Sequence, residues 1–233
     1  MEMLKPNATA VAFDECSEYT CTALELDEDQ RVIALAADLR VEQQRVAAAA
    51  EGVKAGHRAR TRQMARIRVM RERINKLVTT LNLSLLLRSN NNRKAQLYLD
   101  FLPNGLTGFR RLKEDEFLPS TQWIIDALIR LGQDPLAAEY LARLQTLTQN
   151  YRDSLQDAER AEYDLDILRA AERAAMGMWR VVCRRIYGAL LMIFADDKAR
   201  AESYFKKMNG RKPTKRAVSD ETTGSGPAAA DGN

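Results

Sequence analysis

An all-α fold is predicted for this chain: a long antiparallel helical hairpin, coiled-coil-like in its pairing, that carries a small helical head and forms a helical bundle on self-association. Three observations carry the prediction. Alanine, leucine and arginine abound while aromatic residues make up only 6% of the chain, a mixture that suits helices better than sheets. Two long segments, 29–89 and 136–195, contain no proline. Each of them carries an apolar track that repeats every seven residues, the mark of a long helix packed along a partner.

Residues 1–28 are read as an acidic, partly ordered arm, since the first 30 residues hold eight carboxylates against one lysine. The first long helix is placed over 29–89. Its track runs Leu39, Val46, Val53, Arg60, Ile67, Ile74 and Leu81, with Arg60 as the single polar member. A companion track mixes Leu35, Ala49, Gly56, Met70 and Leu77 with Glu42 and Gln63, which reads as an irregular bundle seam. Gly52 and Gly56 allow either a close approach of two helix backbones or a bend, and the spacing leaves both open.

A helical head is assigned to 90–133, opened by "SNNN" and punctuated by "PNGLTG" and "LPST", with helical pieces near 92–102, 108–116 and 120–131. It holds Tyr98, Phe101, Phe109, Phe117 and Trp123, and is expected to cap one end of the hairpin. The second long helix starts at "GQDP": Gly132 closes the preceding helix, Asp134 caps the next and Pro135 suits its first turn. Its track reads Leu144, Tyr151, Ala158, Leu165, Glu172, Trp179, Ile186 and Ile193. Together with a terminal helix capped by Asp196, it fills 134–209. Residues 210–233, rich in Gly, Ser, Ala and Pro after a basic start, are expected to be disordered because they cannot bury enough apolar surface.

Composition excludes several function classes. The longest apolar runs, such as 189–195, fall far short of the roughly 20 residues that cross a bilayer, so no membrane span is expected. The amino terminus lacks a signal-peptide pattern, which points to a cytoplasmic protein. One histidine, His57, leaves no ligand set for a di-iron bundle and no base for Ser/His/Asp or Cys/His catalysis. Cys16, Cys21 and Cys183 have no zinc-ligand spacing and read as reduced thiols. "GVKAG" lacks the ending of a phosphate-binding loop. The expectation is therefore a protein with no catalytic residues, metal or cofactor; a ligand of the aromatic head would need a deep pocket with convergent polar groups.

The net charge of +4 conceals one concentrated run. Residues 54–73 hold eight lysines and arginines against Glu72 alone. If the chain reverses across the head so that residue 88 lies near 134, residues facing each other have numbers that sum to about 222. The basic run then faces "DSLQDAERAEYDLD", 153–166, with six acids against one arginine, and Arg60 falls opposite Glu162. Matched charge of this kind penalises shifted registers. The alternative is that Arg58, Arg60, Arg62, Arg66, Arg68 and Arg73 face outward as a polyanion or nucleic-acid site.

The stretch 176–194, "MGMWRVVCRRIYGALLMIF", is the most hydrophobic part of the second helix. It either packs only on Val32, Ile33, Leu35 and Leu39 of the first helix, or exposes Met178, Trp179, Ile186 and Ile193 to a second subunit. The reading that follows is a non-enzymatic scaffold or assembly protein, homo-oligomeric through the hairpin. Its acidic arm and basic tail would tether partners or neighbouring copies. The alternative is non-specific binding of nucleic acid or another polyanion by the arginine-rich helix.

Overall fold

The computed structural model describes residues 4–5 and 8–206 of the 233-residue chain. The expected disordered tail, 210–233, lies outside the described residues. The helices in chain order are α1 (Ala10–Glu25), α2 (Gln30–Arg88), α3 (Gln96–Phe101), α4 (Gly105–Arg110), α5 (Glu114–Arg130), α6 (Pro135–Ile193) and α7 (Lys198–Ser203). No strand occurs among the described residues.

α2 and α6 form the hairpin. Each has 59 residues, about 89 Å at the standard rise. Their ends follow local chemistry. The Asp29 carboxylate accepts from the Arg31 backbone N–H at 2.8 Å and Asp134 from that of Leu136 at 2.7 Å, each satisfying a donor the first helical turn leaves free. The "SNNN" turn that ends α2 places Asn90 and Asn91 at φ of 48° and 60°, a left-handed conformation that asparagine tolerates better than most side chains. Gly132 serves the same need after α5, at φ of 63°.

The register is the one the numbers predicted. Arg60 forms an ion pair with Glu162, Arg66 lies 3.6 Å from Asp157, Arg88 2.6 Å from Asp134 and Arg185 2.7 Å from Asp38. Both partners of the Arg60–Glu162 pair keep close to half of their side-chain surface in water, so their coupling is small. A double-mutant cycle with Arg60→Glu and Glu162→Arg is expected to return about 0.2–1 kcal/mol. The doubly reversed protein should regain most of what either single reversal loses, as measured by chemical denaturation.

α2 is continuous through Gly52 and Gly56, and Leu168 stands close to both glycines, as the close-approach alternative expects. A Cβ added to Gly56 would lie 2.9 Å from Leu168 Cδ1 and 3.1 Å from Leu165 Cδ1. This close contact lies in the charged middle of the hairpin, between two apolar clusters.

The first cluster joins Ile74, Leu81 and Leu85 of α2 to Phe117, Ile124 and Leu128 of α5 and to Leu144 and Tyr151 of α6. The head departs from the expected cap by leaning down the side of the hairpin. Phe117 meets Tyr151 edge-on at 5.3 Å, Tyr98 donates to Asn82 at 2.9 Å, and Arg71 donates to the Leu112 carbonyl while covering the Phe117 ring at 4.6 Å. The reason is the apolar stripe of α5, Phe117, Thr121, Ile124, Ile125 and Leu128, which needs the length of a helix pair to bury it. α5 also runs through Pro119, joining segments that the sequence separates. Glu114, Asp115 and Glu116 in its first turn favour that start electrostatically.

The second cluster holds Phe13 and Leu24 of α1, Val32 and Leu39 of α2, and Trp179, Cys183, Ile186 and Leu190 of α6. The arm is therefore a docked helix. Its acids are spent within the chain: Glu18 and Glu25 both hold Arg40, Glu15 holds Lys206, and Asp27 takes Arg200 and the Tyr204 hydroxyl. The Arg40 and Gln43 hydrogen bonds keep the Glu18 carboxyl below its ordinary range. The Tyr204 hydroxyl and then the Asp29 backbone N–H do the same for Asp27. These contacts engage Glu15, Glu18, Glu25 and Asp27 of the arm within the chain. The cap of α7 is Asp197, whose carboxylate accepts from the Arg200 N–H at 2.9 Å, and not Asp196.

Candidate functional site

α1 and the head pack on the same side of the hairpin. Because Leu39, Val46, Ile67, Ile74 and Leu81 of the seven-residue track are buried and Arg60 pairs across the hairpin with Glu162, residues separated by whole heptads share a face. Gln43, which holds Asp14 of α1, and Arg71, which holds the head, are related in this way. So are Arg40 under α1 and Asn82 under α3. The opposite side is marked by two ion pairs, Asp38–Arg185 and Arg66–Asp157. Asp38 and Arg66 are again whole heptads apart, as are Asp157 and Arg185. No described helix covers this open flank, which makes it the candidate interaction surface.

Its arm-end half is apolar. Met178 and Met192 stand one heptad either side of Arg185, Val181 one turn before it, and Val41 one turn beyond Asp38. All four are exposed. Ile167, three turns before Met178, is exposed as well. The head-end half is basic, with Arg73, Lys76 and Arg143 around a groove of about 610 Å³.

Of the four residues expected at a subunit interface, only Met178 is available, at 51% exposure. Trp179 at 4% and Ile186 at 0% belong to the chain's own core, and Ile193 is half-buried against the same cluster. This corrects the sequence reading, and α1 is the cause. Phe13 meets Trp179 edge-on at 4.9 Å, and the Trp179 indole N–H donates to Ser17 Oγ at 2.6 Å. α1 thus covers one side of 176–194, while Met178, Val181 and Met192 stay exposed. The spacing of Phe13, Cys16, Ser17, Thr20, Cys21 and Leu24, which form the buried face of α1, was the signal that such a covering helix exists.

The six arginines do not converge. Arg60 and Arg66 are held by Glu162 and Asp157. Arg58, Arg62, Arg68 and Arg73 are exposed and make no ion pair among the described residues. Arg62, Arg66 and Arg73 lie on the open flank, since Arg62 is one heptad before the exposed Val69, itself one heptad before Lys76. Arg68 lies on the other side.

The remaining candidates are quickly placed. Among the described residues no group of three His, Cys, Asp or Glu side chains is arranged to hold a metal ion. Cys16, Cys21 and Cys183 are buried free thiols, and burial pushes the Cys21 thiol up to about 11. The head carries a cleft of about 470 Å³ lined by Phe101, Leu102, Phe109, Pro119 and Trp123, with Asn104 and Ser120 as its polar side chains. No ionisable side chain lines it, so it lacks the convergent polar groups a substrate pocket would show. No helix among the described residues is long and apolar enough to cross a membrane.

No family model, curated protein or solved structure matches this chain.

Proposed function

We propose that this protein is a non-enzymatic scaffold that self-associates through the open flank of its hairpin. The observation that carries the reading is the arm-end half of that flank, where Val41, Met178, Val181 and Met192 are exposed together although the opposite side of the same helices is covered by α1. Exposed apolar side chains grouped on one face of a long rod favour helix-on-helix packing. Methionines, with several rotatable bonds, adapt to a partner surface. A second copy packing there turns two hairpins into a four-helix bundle.

Sizing chromatography with light scattering tests the reading. The wild-type chain is expected to run as a dimer or larger assembly, and the double variant Met178→Glu/Val181→Glu as a folded monomer with unchanged helicity. A wild-type chain that stays monomeric at high concentration removes the proposal.

Polyanion binding through Arg58, Arg62, Arg68 and Arg73 is the second reading, supported by their exposure without ion pairs. Absence of binding to labelled DNA and RNA at low salt would sink it.

A further inference from the structure

The head-end half of the open flank has a different chemistry. Arg73 and Lys76 project from α2, and Arg143 from α6, around a groove floored by Leu77, Ala142 and Leu147. The groove exists because small side chains meet there: Thr80 and Ala142 face each other in the observed register and leave the space between the helices unfilled. Ion pairs stand toward either end of the groove, although Arg62 on this flank is also without one among the described residues. Arg66 has Asp157 on one side of the groove, and Arg88 has Asp134 on the other. Between those two pairs Arg73, Lys76 and Arg143 make no ion pair among the described residues, and Glu139, one turn from Arg143 on α6, does not bridge to it.

We propose that this groove binds the phosphate group of a small soluble ligand, a pyrophosphate or phosphate ester. Three unpaired cations around one cavity repel one another, and a compact multivalent anion relieves that repulsion. Two of them are guanidinium groups, whose planar forks match phosphate oxygens in pairs, and the lysine adds a mobile point charge. The apolar floor lowers the local dielectric and strengthens each contact. Thr80 and Thr146 on the rim donate to the Leu77 and Ala142 carbonyls at 2.7 and 2.9 Å. Each hydroxyl can turn its proton to a bound oxygen instead. A nucleic acid fits less well. The basic track is broken toward the arm by Asp153 and Asp157, which share this flank, and no aromatic side chain lines the groove for base stacking.

The test is calorimetric titration of the full-length protein with sodium pyrophosphate at constant ionic strength, repeated with ATP and with adenosine. Saturable binding of pyrophosphate and ATP but not adenosine is expected, with about a tenfold or greater loss on Arg143→Glu. Lys76→Met should show the same direction and serves if Arg143→Glu does not fold. Arg62→Glu, on the same flank but outside the groove, should bind as wild type. No binding by the wild-type chain overturns the proposal, as does unchanged binding in a folded Arg143→Glu protein. A single-stranded oligonucleotide that binds more tightly than pyrophosphate, and loses affinity equally on Arg62→Glu and Arg143→Glu, overturns it in favour of an extended polyanion surface. Loss of self-association in the Met178 and Val181 variant leaves these outcomes untouched, so the two proposals fail separately.

Discussion

Replacing Trp179 by alanine is expected to cost about 3–5 kcal/mol, the usual range for deleting a large buried aromatic side chain. Trp179 sits where α1, α2 and α6 meet, 4% exposed, with its ring against Phe13 and its indole N–H on Ser17. Ser17 keeps its own donation to the Phe13 carbonyl at 2.7 Å, so the loss is mainly of packing and not of an abandoned hydroxyl. Because the two apolar clusters are separated by the charged middle of the hairpin, the damage should be local. Hydrogen exchange is expected to show the amides of α1 losing protection first while those of α5 and the adjoining turns of α2 and α6 keep theirs. Trp179→Phe, which keeps a ring but not the donor, should lose about 1–2 kcal/mol. An alanine variant as stable as wild type, with α1 protected, would show that the arm is not held by this residue.

Gly56→Leu is the second large effect and has the opposite sign to helix propensity. On an exposed helix the change would stabilise by about 1 kcal/mol. Here the new side chain enters a close contact between the two long helices, where Leu168 and Leu165 already stand within 3.1 Å of the Cβ position. Overpacking is expected to produce a net loss of about 1–3 kcal/mol in urea denaturation. Gly56→Ala should stay within about 1 kcal/mol of wild type, because the nearest atom is the flexible end of Leu168 and the propensity gain offsets its displacement. Gly177→Ala, which meets nothing within 4 Å, should stabilise by about 0.5–1 kcal/mol. Equal stability of Gly56→Leu and wild type would contradict the close approach of the two backbones.

How far the fold was legible depends on which physical rule governed each element. The long helices follow from period and caps. Their register follows because both strands of a hairpin advance by the same rise, so one estimate at the turn propagates to Asp38–Arg185 at the far end. The head pieces expected near 92–102, 108–116 and 120–131 differ in their bounds from α3, α4 and α5, and the cap of α7 was misplaced; a proline inside α5 and two adjacent aspartates before α7 left the local signals divided. The arm was read as acidic and partly ordered, without the docking of α1 that the structure shows. Its charge was read as its character, although its buried positions recur with helical spacing and its acids had arginines within reach.

The candidate surface was less legible. Met178 is exposed and Trp179 is buried although they are neighbours in sequence, because one points along the open flank and the other toward α1. Arg73 and Arg143 lie far apart in the chain and meet around one groove only through the register. Neither the partners of Arg40 nor the isolation of Lys76 can be read from a helical wheel, because a wheel shows which residues share a face but not what covers it.

Local patterns in the chain were enough for the all-α class, the two long helices, their antiparallel register and the charge matching of Arg60 with Glu162, since each depends on periodicity and length alone. The tertiary structure decided which flank α1 and the head occupy, and with it which side chains were left to solvent. That choice depends on shape complementarity between elements distant in sequence, such as Phe13 against Trp179 and Phe117 against Tyr151. Packing of that kind has no period to announce it.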